Sequence, residues 1–352
     1  MKTEIKLKNK LINKVQWRLV NLKNKKYKLP SKTIGEKVAY VLGVSNHPNA
    51  GDQEITLAQK RFIEKYCSEF RYVEIEKEKI PYIISDLKNN IDSDDIIFYQ
   101  GGGTLSNLYP EHEIPRKLVL SSLKDAPCKI IQFPVSFHYD DINEFRENSK
   151  LYNDVKNLVV FVREAKSFEI LKNELKVPVY HVPDIVLSQQ KNNYNTRENK
   201  VLVMFRSDKE CSLSPQLANQ IIESFSKRSK VIITDNYVKN YTLTFDKNRE
   251  RLLSEKFDEF SKAKLVITDR LHGMIFAYVT GTPAIVFDNS YGKVKYSYLS
   301  WLKEAGHIHF LEGENLSLDK VLESANALLD SENNFSLNIE EAFHPLIDIV
   351  KN

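Results

Sequence analysis

Arg270 and His272 stand two residues apart in the stretch LVITDRLHGMIFAYVTGTPAIVFDNSYGKVK, residues 265–295, and are the pair best suited to chemistry. A guanidinium stays charged at any physiological pH and grips phosphate or carboxylate through a fork of N–H donors. An imidazole titrates near neutrality and can move a proton. The two occupy a charged corner, with Asp269, between an apolar run at 265–268 and a short apolar helix expected over 274–280. A Gly-Thr-Pro turn then leads to a second strand at 284–287. The run at 265–268 lacks polar alternation, as expected for a parallel strand covered on both faces. Open α/β sheets bind ligands at the carboxyl ends of their strands, where this corner lies.

Three other places share that character. Arg163 follows directly on the apolar strand 158–162. One arginine at a strand end ordinarily pairs with a surface acid; two at strand ends of one α/β chain favour a functional role. The loop Ser45–Gly51 after a first strand (37–44) leads to Asp52 at the start of a helix, which reads either as a plain N-cap or as a site-forming junction. Gly101, Gly102 and Gly103 follow the strand 94–100. Successive glycines belong where backbone turns sharply or approaches a ligand, and exposed N–H groups there suit an anion. The pattern is neither the dinucleotide fingerprint nor the phosphate loop of nucleotide triphosphatases, so no such site is assigned. His47, His138 and Asp269 are further cleft residues on this reading. His112, His181, His307, His309 and His344 are read as structural or surface residues.

These corners need a scaffold, and the chain supplies one by repetition. Short apolar strands alternate with helical patterns from residue 37 to 188 and again from 201 to 287, with further strands at 70–76, 128–133, 177–181, 201–205 and 230–234. The polar, Asn-rich segment 189–200 (QQKNNYNTRENK) is the best linker. The expectation is therefore α/β: two doubly wound, Rossmann-like domains facing across a cleft, residues 36–188 and 200–352. The last helix is free to pack back on the first domain. Residues 1–35 form a basic, amphipathic extension.

Composition narrows the class. The 352 residues suffice for two cores, and 42% hydrophobic with 28% charged residues is ordinary for a globular protein. Cys67, Cys128 and Cys211 are far apart and form no ligand or disulfide pattern, so no metal site is expected and a reducing, cytoplasmic compartment is. No apolar run has the length of a membrane span, and no secretory signal is recognised at the start. Residues 1–37 hold twelve Lys/Arg and two Glu, a local +10; against an overall +4 the rest of the chain carries −6. A nucleic-acid-binding body is thereby disfavoured. The basic segment, with Trp17, fits peripheral contact with an anionic membrane, a solubilising extension or a helix packed on the body.

Taken together, NAGDQEITLAQ, YQGGGTLSNLYP, VREAKSFEIL, VPD and ITDRLHGMIFAYVTGTPAIVF, in this order over about residues 45–295, resemble the polysaccharide pyruvyl transferase family. The resemblance implies a two-domain fold like that of many glycosyltransferases (GT-B-like). It also implies an enzyme that moves the enolpyruvyl unit of phosphoenolpyruvate onto two hydroxyls of a sugar as a cyclic ketal, releasing phosphate. The acceptor implied is a sugar of an exopolysaccharide or other cell-envelope glycan precursor, free or lipid-linked. No cofactor is implied, phosphoenolpyruvate being the donor substrate. By position in the family motifs, Arg270, Leu271 and Arg163 would hold the donor, Lys293 would add positive charge, and Gly101–Gly103 would bring backbone close. His272 would be the general acid, and Asp52 would activate or orient an acceptor hydroxyl. A lipid-linked acceptor would place the enzyme on the inner face of the cell membrane. The competing reading is a nucleotide-sugar glycosyltransferase of similar fold, although no acidic pair of the DxD kind follows a strand. A non-enzymatic assembly partner would have no need of the Arg-Leu-His corner.

Overall fold

A computed structural model describes residues 25–189, 197–208, 210–237, 245–313, 316–330 and 339–352. Most of the basic N-terminal segment and of the 189–200 linker lies outside these residues.

The first sheet comprises β1 (Val38–Val44), β2 (Arg71–Glu76), β3 (Ile96–Tyr99), β4 (Gly102–Ser106), β5 (Lys129–His138), β6 (Leu158–Val162) and β7 (Val179–His181), in the order β2-β1-β3-β5-β6-β7 with β4 beside β5. The second holds β8 (Glu198–Met204), β9 (Lys230–Ile233), β10 (Ala263–Thr268), β11 (Ala284–Val286) and β12 (Ile308–Phe310), in the order β12-β11-β10-β8-β9. Every strand pair is parallel. Both sheets therefore have the doubly wound α/β topology. The chain reverses direction across the sheet between β1 and β3 in one and between β8 and β10 in the other. At such a switch point neighbouring loops part and leave a crevice at the strand ends.

The strands are buried because the helices cover both faces: β1 and β3 are buried at every residue, and β10 at all but Lys264. One apolar cluster runs through both sheets. Ile55 and Phe62 of the helix Ala50–Tyr66 belong to it together with Phe257 of Phe245–Ser261 and Phe276 of Leu271–Val279. Polar contacts join the halves as well. Arg249 donates to Glu74 Oε1 and Oε2 (2.7 and 3.0 Å) and to Gln53 Oε1 (3.0 Å), and the Ala50 N–H donates to Asn236 O (2.6 Å). The closing helix His344–Lys351 lies against the first sheet's side of the molecule, where Lys129 Nζ donates to Ile349 O at 3.2 Å.

The sequence reading did not name the strand β12 or the helices Pro110–Ser122 and Ile142–Asn153, and two other elements differ from it. The glycine run does not remain a loop: Gly102–Ser106 is a strand against β5. And β5 does not stop at Phe133 but continues to His138 through Pro134. A proline removes a ladder donor, and the strand accommodates it where the β5–β6 register shifts, between Gln132 and Val135.

Candidate active site

The two switch-point crevices face each other and enclose a cavity of about 290 Å³. From the first half come Asp52 (after β1), Lys77 (after β2), Gly103 (after β3) and Arg163 (after β6). The second half supplies Arg206 and Glu210 after β8, Arg270, Leu271 and His272 after β10, and Lys293 after β11.

The corner after β10 is built from its own backbone. Thr268 Oγ1 accepts from the Arg270 N–H (3.0 Å) and donates to Met204 O (2.9 Å), tying β10 to β8 at the turn. A Cβ on Gly273 would stand 2.4 Å from Thr268 Oγ1, so the helix sits this close to the strand only with glycine there. Asp269 is buried behind the corner, accepts from the Arg206 N–H (2.8 Å), and does not line the cavity. Burial pushes its carboxyl up to about 6. Arg270 caps the helix and donates to Asp235 Oδ2 at 2.9 Å.

His272 lies against the loop after β1. A Cβ on Gly51 would fall 2.3 Å from His272 Nδ1, so the imidazole rests on the bare backbone of Gly51. Its Nε2 is 3.8 Å from Asp184 Oδ2. Burial pushes this histidine below its ordinary range, the Asp184 and Asp52 charges opposing and the Arg163 and Lys293 charges reinforcing the shift. The imidazole is thereby held toward its neutral form. Among the residues that line the cavity, His272 Nε2, Arg270 Nε and Asn236 Oδ1 are buried without a hydrogen-bond partner. Such orphans are rare in folded proteins and mark places where a ligand completes the bonding.

Arg163 is 1% exposed and held from three sides. Its Nη1 donates to Asp184 Oδ2, and its Nε to Ser136 Oγ (2.7 Å) and Glu164 Oε1 (3.0 Å). Trp301 Nε1 donates to Arg163 O at 2.7 Å. With the guanidinium so fixed, Nη2 is turned toward Gly103. Lys293 Nζ donates to Glu210 Oε2 (2.7 Å) and to the Tyr291 hydroxyl (2.8 Å). Burial alone would raise the Glu210 carboxyl; Lys293, the Tyr109 hydroxyl at 2.6 Å and Arg206 outweigh it and hold the group at about 2. Burial pushes the Lys293 ammonium below the usual lysine range against the pull of Glu210. Asp52 Oδ2 lies 3.5 Å from His47 Nε2 at the opposite wall.

Seven of the nine residues to which the resemblance gives a role line this one cavity, Asp52, Gly103, Arg163, Arg270, Leu271, His272 and Lys293, and so does His47. Gly101 and Gly102 do not. A Cβ on Gly101 would meet Pro134 O at 2.6 Å, and Gly102 has φ +101°, so they serve close packing and the turn into β4. His112, taken from sequence as structural or surface, is in the cavity wall; its Nε2 is 3.0 Å from Lys77 Nζ. Burial, reinforced by Lys77, lowers that imidazole to about 3. Lys77, Arg206 and Glu210 carried no motif signal beyond their places after strands β2 and β8. Asp184 was visible only as part of VPD. His138 lines a neighbouring groove, not this cavity.

The model of the family described as polysaccharide pyruvyl transferase matches residues 49–291. The chain belongs to that family. General stress protein 30 of Bacillus subtilis is 32% identical over 318 residues, spanning 89% of this chain and 91% of that protein. Pyruvyl transferase 1 of Schizosaccharomyces pombe is 26% identical over 315 residues, 84% of this chain and 76% of its own. Among solved structures, the UDP-GlcNAc 2-epimerase of Methanocaldococcus jannaschii superposes with a TM-score of 0.51 at 14% identity, over 90% of this chain and all of that one. That likeness shows the GT-B-like fold alone. The fold does not separate a pyruvyl transferase from the nucleotide-sugar alternative; the family match does. This polysaccharide pyruvyl transferase has, among its described residues, no helix long and apolar enough to cross a membrane.

Proposed function

We propose that phosphoenolpyruvate is the donor and that the enzyme forms a pyruvate ketal on two hydroxyls of a sugar in an exopolysaccharide or cell-envelope glycan precursor. The observation that carries this reading is the pair of orphaned nitrogens, Arg270 Nε and His272 Nε2, in a cavity also lined by Arg163, Lys293, Arg206 and Lys77. Two fixed guanidiniums suit the donor's carboxylate and phosphate, which a single cation would leave half paired.

On this reading the residues divide the labour. Arg163, pinned by Asp184 and Glu164, and Arg270, at the helix start, orient the donor. His272 delivers a proton to the methylene carbon, leaving positive charge at the adjoining carbon, which an acceptor oxygen captures. Asp52 takes the proton of that hydroxyl. Phosphate departs with the C–O electron pair, and the second hydroxyl closes the ring, its proton leaving with phosphate. One hydroxyl proton thus replaces that spent on carbon, and the other balances phosphate.

His272 must be charged for this, although burial disfavours it. The donor supplies the remedy. One negative charge about 5 Å away contributes about 3 kcal/mol at an effective dielectric of 20, worth about two pKa units. Donor binding and protonation of His272 are therefore coupled. We place the enzyme in the cytoplasm and assign the basic segment 1–35 to peripheral contact with the membrane carrying a lipid-linked acceptor.

The test is phosphate release from phosphoenolpyruvate over a panel of sugar acceptors, with His272→Ala and Arg270→Ala alongside. Acceptor-dependent release lost in both variants supports donor and site together. Binding of a nucleoside diphosphate by a protein that does not bind phosphoenolpyruvate would overturn the proposal in favour of the glycosyltransferase.

A further inference from the structure

A second groove, about 480 Å³, adjoins the reaction cavity and shares Lys293 with it. Its volume lies within the about 300–1,000 Å³ range of sites for small organic ligands. One wall is the end of β5 and the loop after it; another is the helix Ala165–Glu174; the third is the turn and short helix Lys293–Ser297 of the second half. It is thus open between the two halves of the molecule, beside the site of reaction.

Its lining differs in kind from that of the reaction cavity. Phe137, Tyr139, Tyr291 and Tyr296 contribute rings, and His138 stacks on Tyr291 with centroids 4.4 Å apart. Lys166 Nζ lies 5.0 Å from the Tyr296 ring centre. The Tyr296 ring packs on the turn that opens its short helix: a Cβ on Gly292 would stand 2.8 Å from Tyr296 Cε2, and Gly292 has φ +87°. The charged groups of the lining are largely engaged: Glu164 is bound by Ser136 and Ser167, Glu174 is forked to Arg146, Lys293 is paired with Glu210, and Lys166 lies over the Tyr296 ring.

Aromatic faces with a rim of hydrogen-bonding groups and no surplus charge suit a neutral sugar ring. The apolar C–H face of a pyranose lies on the electron-rich face of an aromatic ring, while its hydroxyls reach the rim. We propose that this groove is a bed for the sugar rings of the acceptor next to the one that reacts, so that the enzyme recognises an oligosaccharide rather than a single sugar. The inference rests on the transferase reading for its account of the neighbouring cavity, but the ligand class follows from the groove itself. Lys293, with Tyr291 on its Nζ, stands at the junction, so the reacting sugar lies on the donor side and its neighbours on the aromatic side.

The experiment is saturation-transfer NMR on the full chain with phosphoenolpyruvate present. The probes are maltotriose, cellotriose, chitotriose and β-1,4-galactotriose, each against its monosaccharide. At least one trisaccharide is expected to bind about tenfold more tightly than its monosaccharide, and Tyr296→Ala to remove about that factor. Tyr296→Leu, which keeps an apolar volume at that position but has no ring, loses the same factor; Tyr296→Phe retains it. Trisaccharides that bind no better than monosaccharides overturn the proposal, as does an advantage that survives in Tyr296→Leu. Titration of phosphoenolpyruvate into the wild type separates the two readings. Donor binding with no trisaccharide advantage refutes the groove alone, and a trisaccharide advantage with no donor binding refutes the donor alone.

Discussion

Gly51→Ala is the sharpest probe of how the two halves make one site. Gly51 belongs to the first half and His272 to the second, 221 positions later in the chain, yet an alanine Cβ would fall 2.3 Å from His272 Nδ1 where ordinary contact begins at 3.4 Å. The ring must retreat by the difference, about 1.1 Å. It cannot swing freely, because it is buried with Asp184 near its far nitrogen. Leaving its rotamer by about 30° costs about 0.5–1.5 kcal/mol. Alanine in place of glycine in a helix returns up to about 1 kcal/mol, so net stability should stay within about 1 kcal/mol of the wild type. Turnover should not: a misplacement of about 1 Å in a reacting group costs about 100-fold. The assay is phosphate release with an acceptor that supports the wild type, together with urea denaturation and donor binding. Gly51→Ala is expected to fold and bind phosphoenolpyruvate within about threefold while kcat falls about 100-fold. If Gly51 acts only through the imidazole, Gly51→Ala adds nothing in the background of His272→Ala. Wild-type turnover in Gly51→Ala, or a loss that persists unchanged on top of His272→Ala, refutes the reasoning.

Two more predictions follow from the same geometry. Arg163→Met leaves Asp184 and Glu164 buried without their cation, so urea denaturation should show a loss of about 3–5 kcal/mol; a loss below about 1 kcal/mol would mean the cluster is not electrostatically closed. His272 is neutral at pH 7 because burial lowers its pKa, and the donor's charge raises it, so binding should take up protons and tighten as pH falls toward the depressed value. Calorimetry in buffers of different ionisation heat should show this uptake in the wild type beyond that of His272→Asn, the donor's own phosphate titration being common to both; equal uptake would remove His272 as proton donor.

Much of the fold could be read from pattern because parallel strands announce themselves. VAYVLGV, IIFY, LVVFV and AKLVIT are short apolar runs between helical stretches, and each is a strand within a residue or two of expectation. The helix Pro110–Ser122 was harder to see: it opens with acidic residues and carries Pro115 in its second turn, which reads as interruption. With that helix went His112, since nothing local distinguishes a cavity-facing histidine near a helix start from a surface one. The glycine run misled for a related reason. Three glycines permit close approach, but the sequence does not name the partner, which for Gly101 is the carbonyl of Pro134.

By itself the sequence determined the corners: which strands end in an arginine, where a helix begins, where glycine relieves a turn, and where the charge lies. These depend on residues a few positions apart, and local sterics and periodicity set them. Only the tertiary structure decided that the corners meet. The two sheets face through a shared apolar cluster, and that apposition seats His272 on Gly51, sets Asp184 between Arg163 and the imidazole, and pairs Lys293 with Glu210. The protonation state of His272 is likewise tertiary. Its pKa follows from the water removed and the charges gathered around it by loops from both halves, and neither is written in the residues beside it.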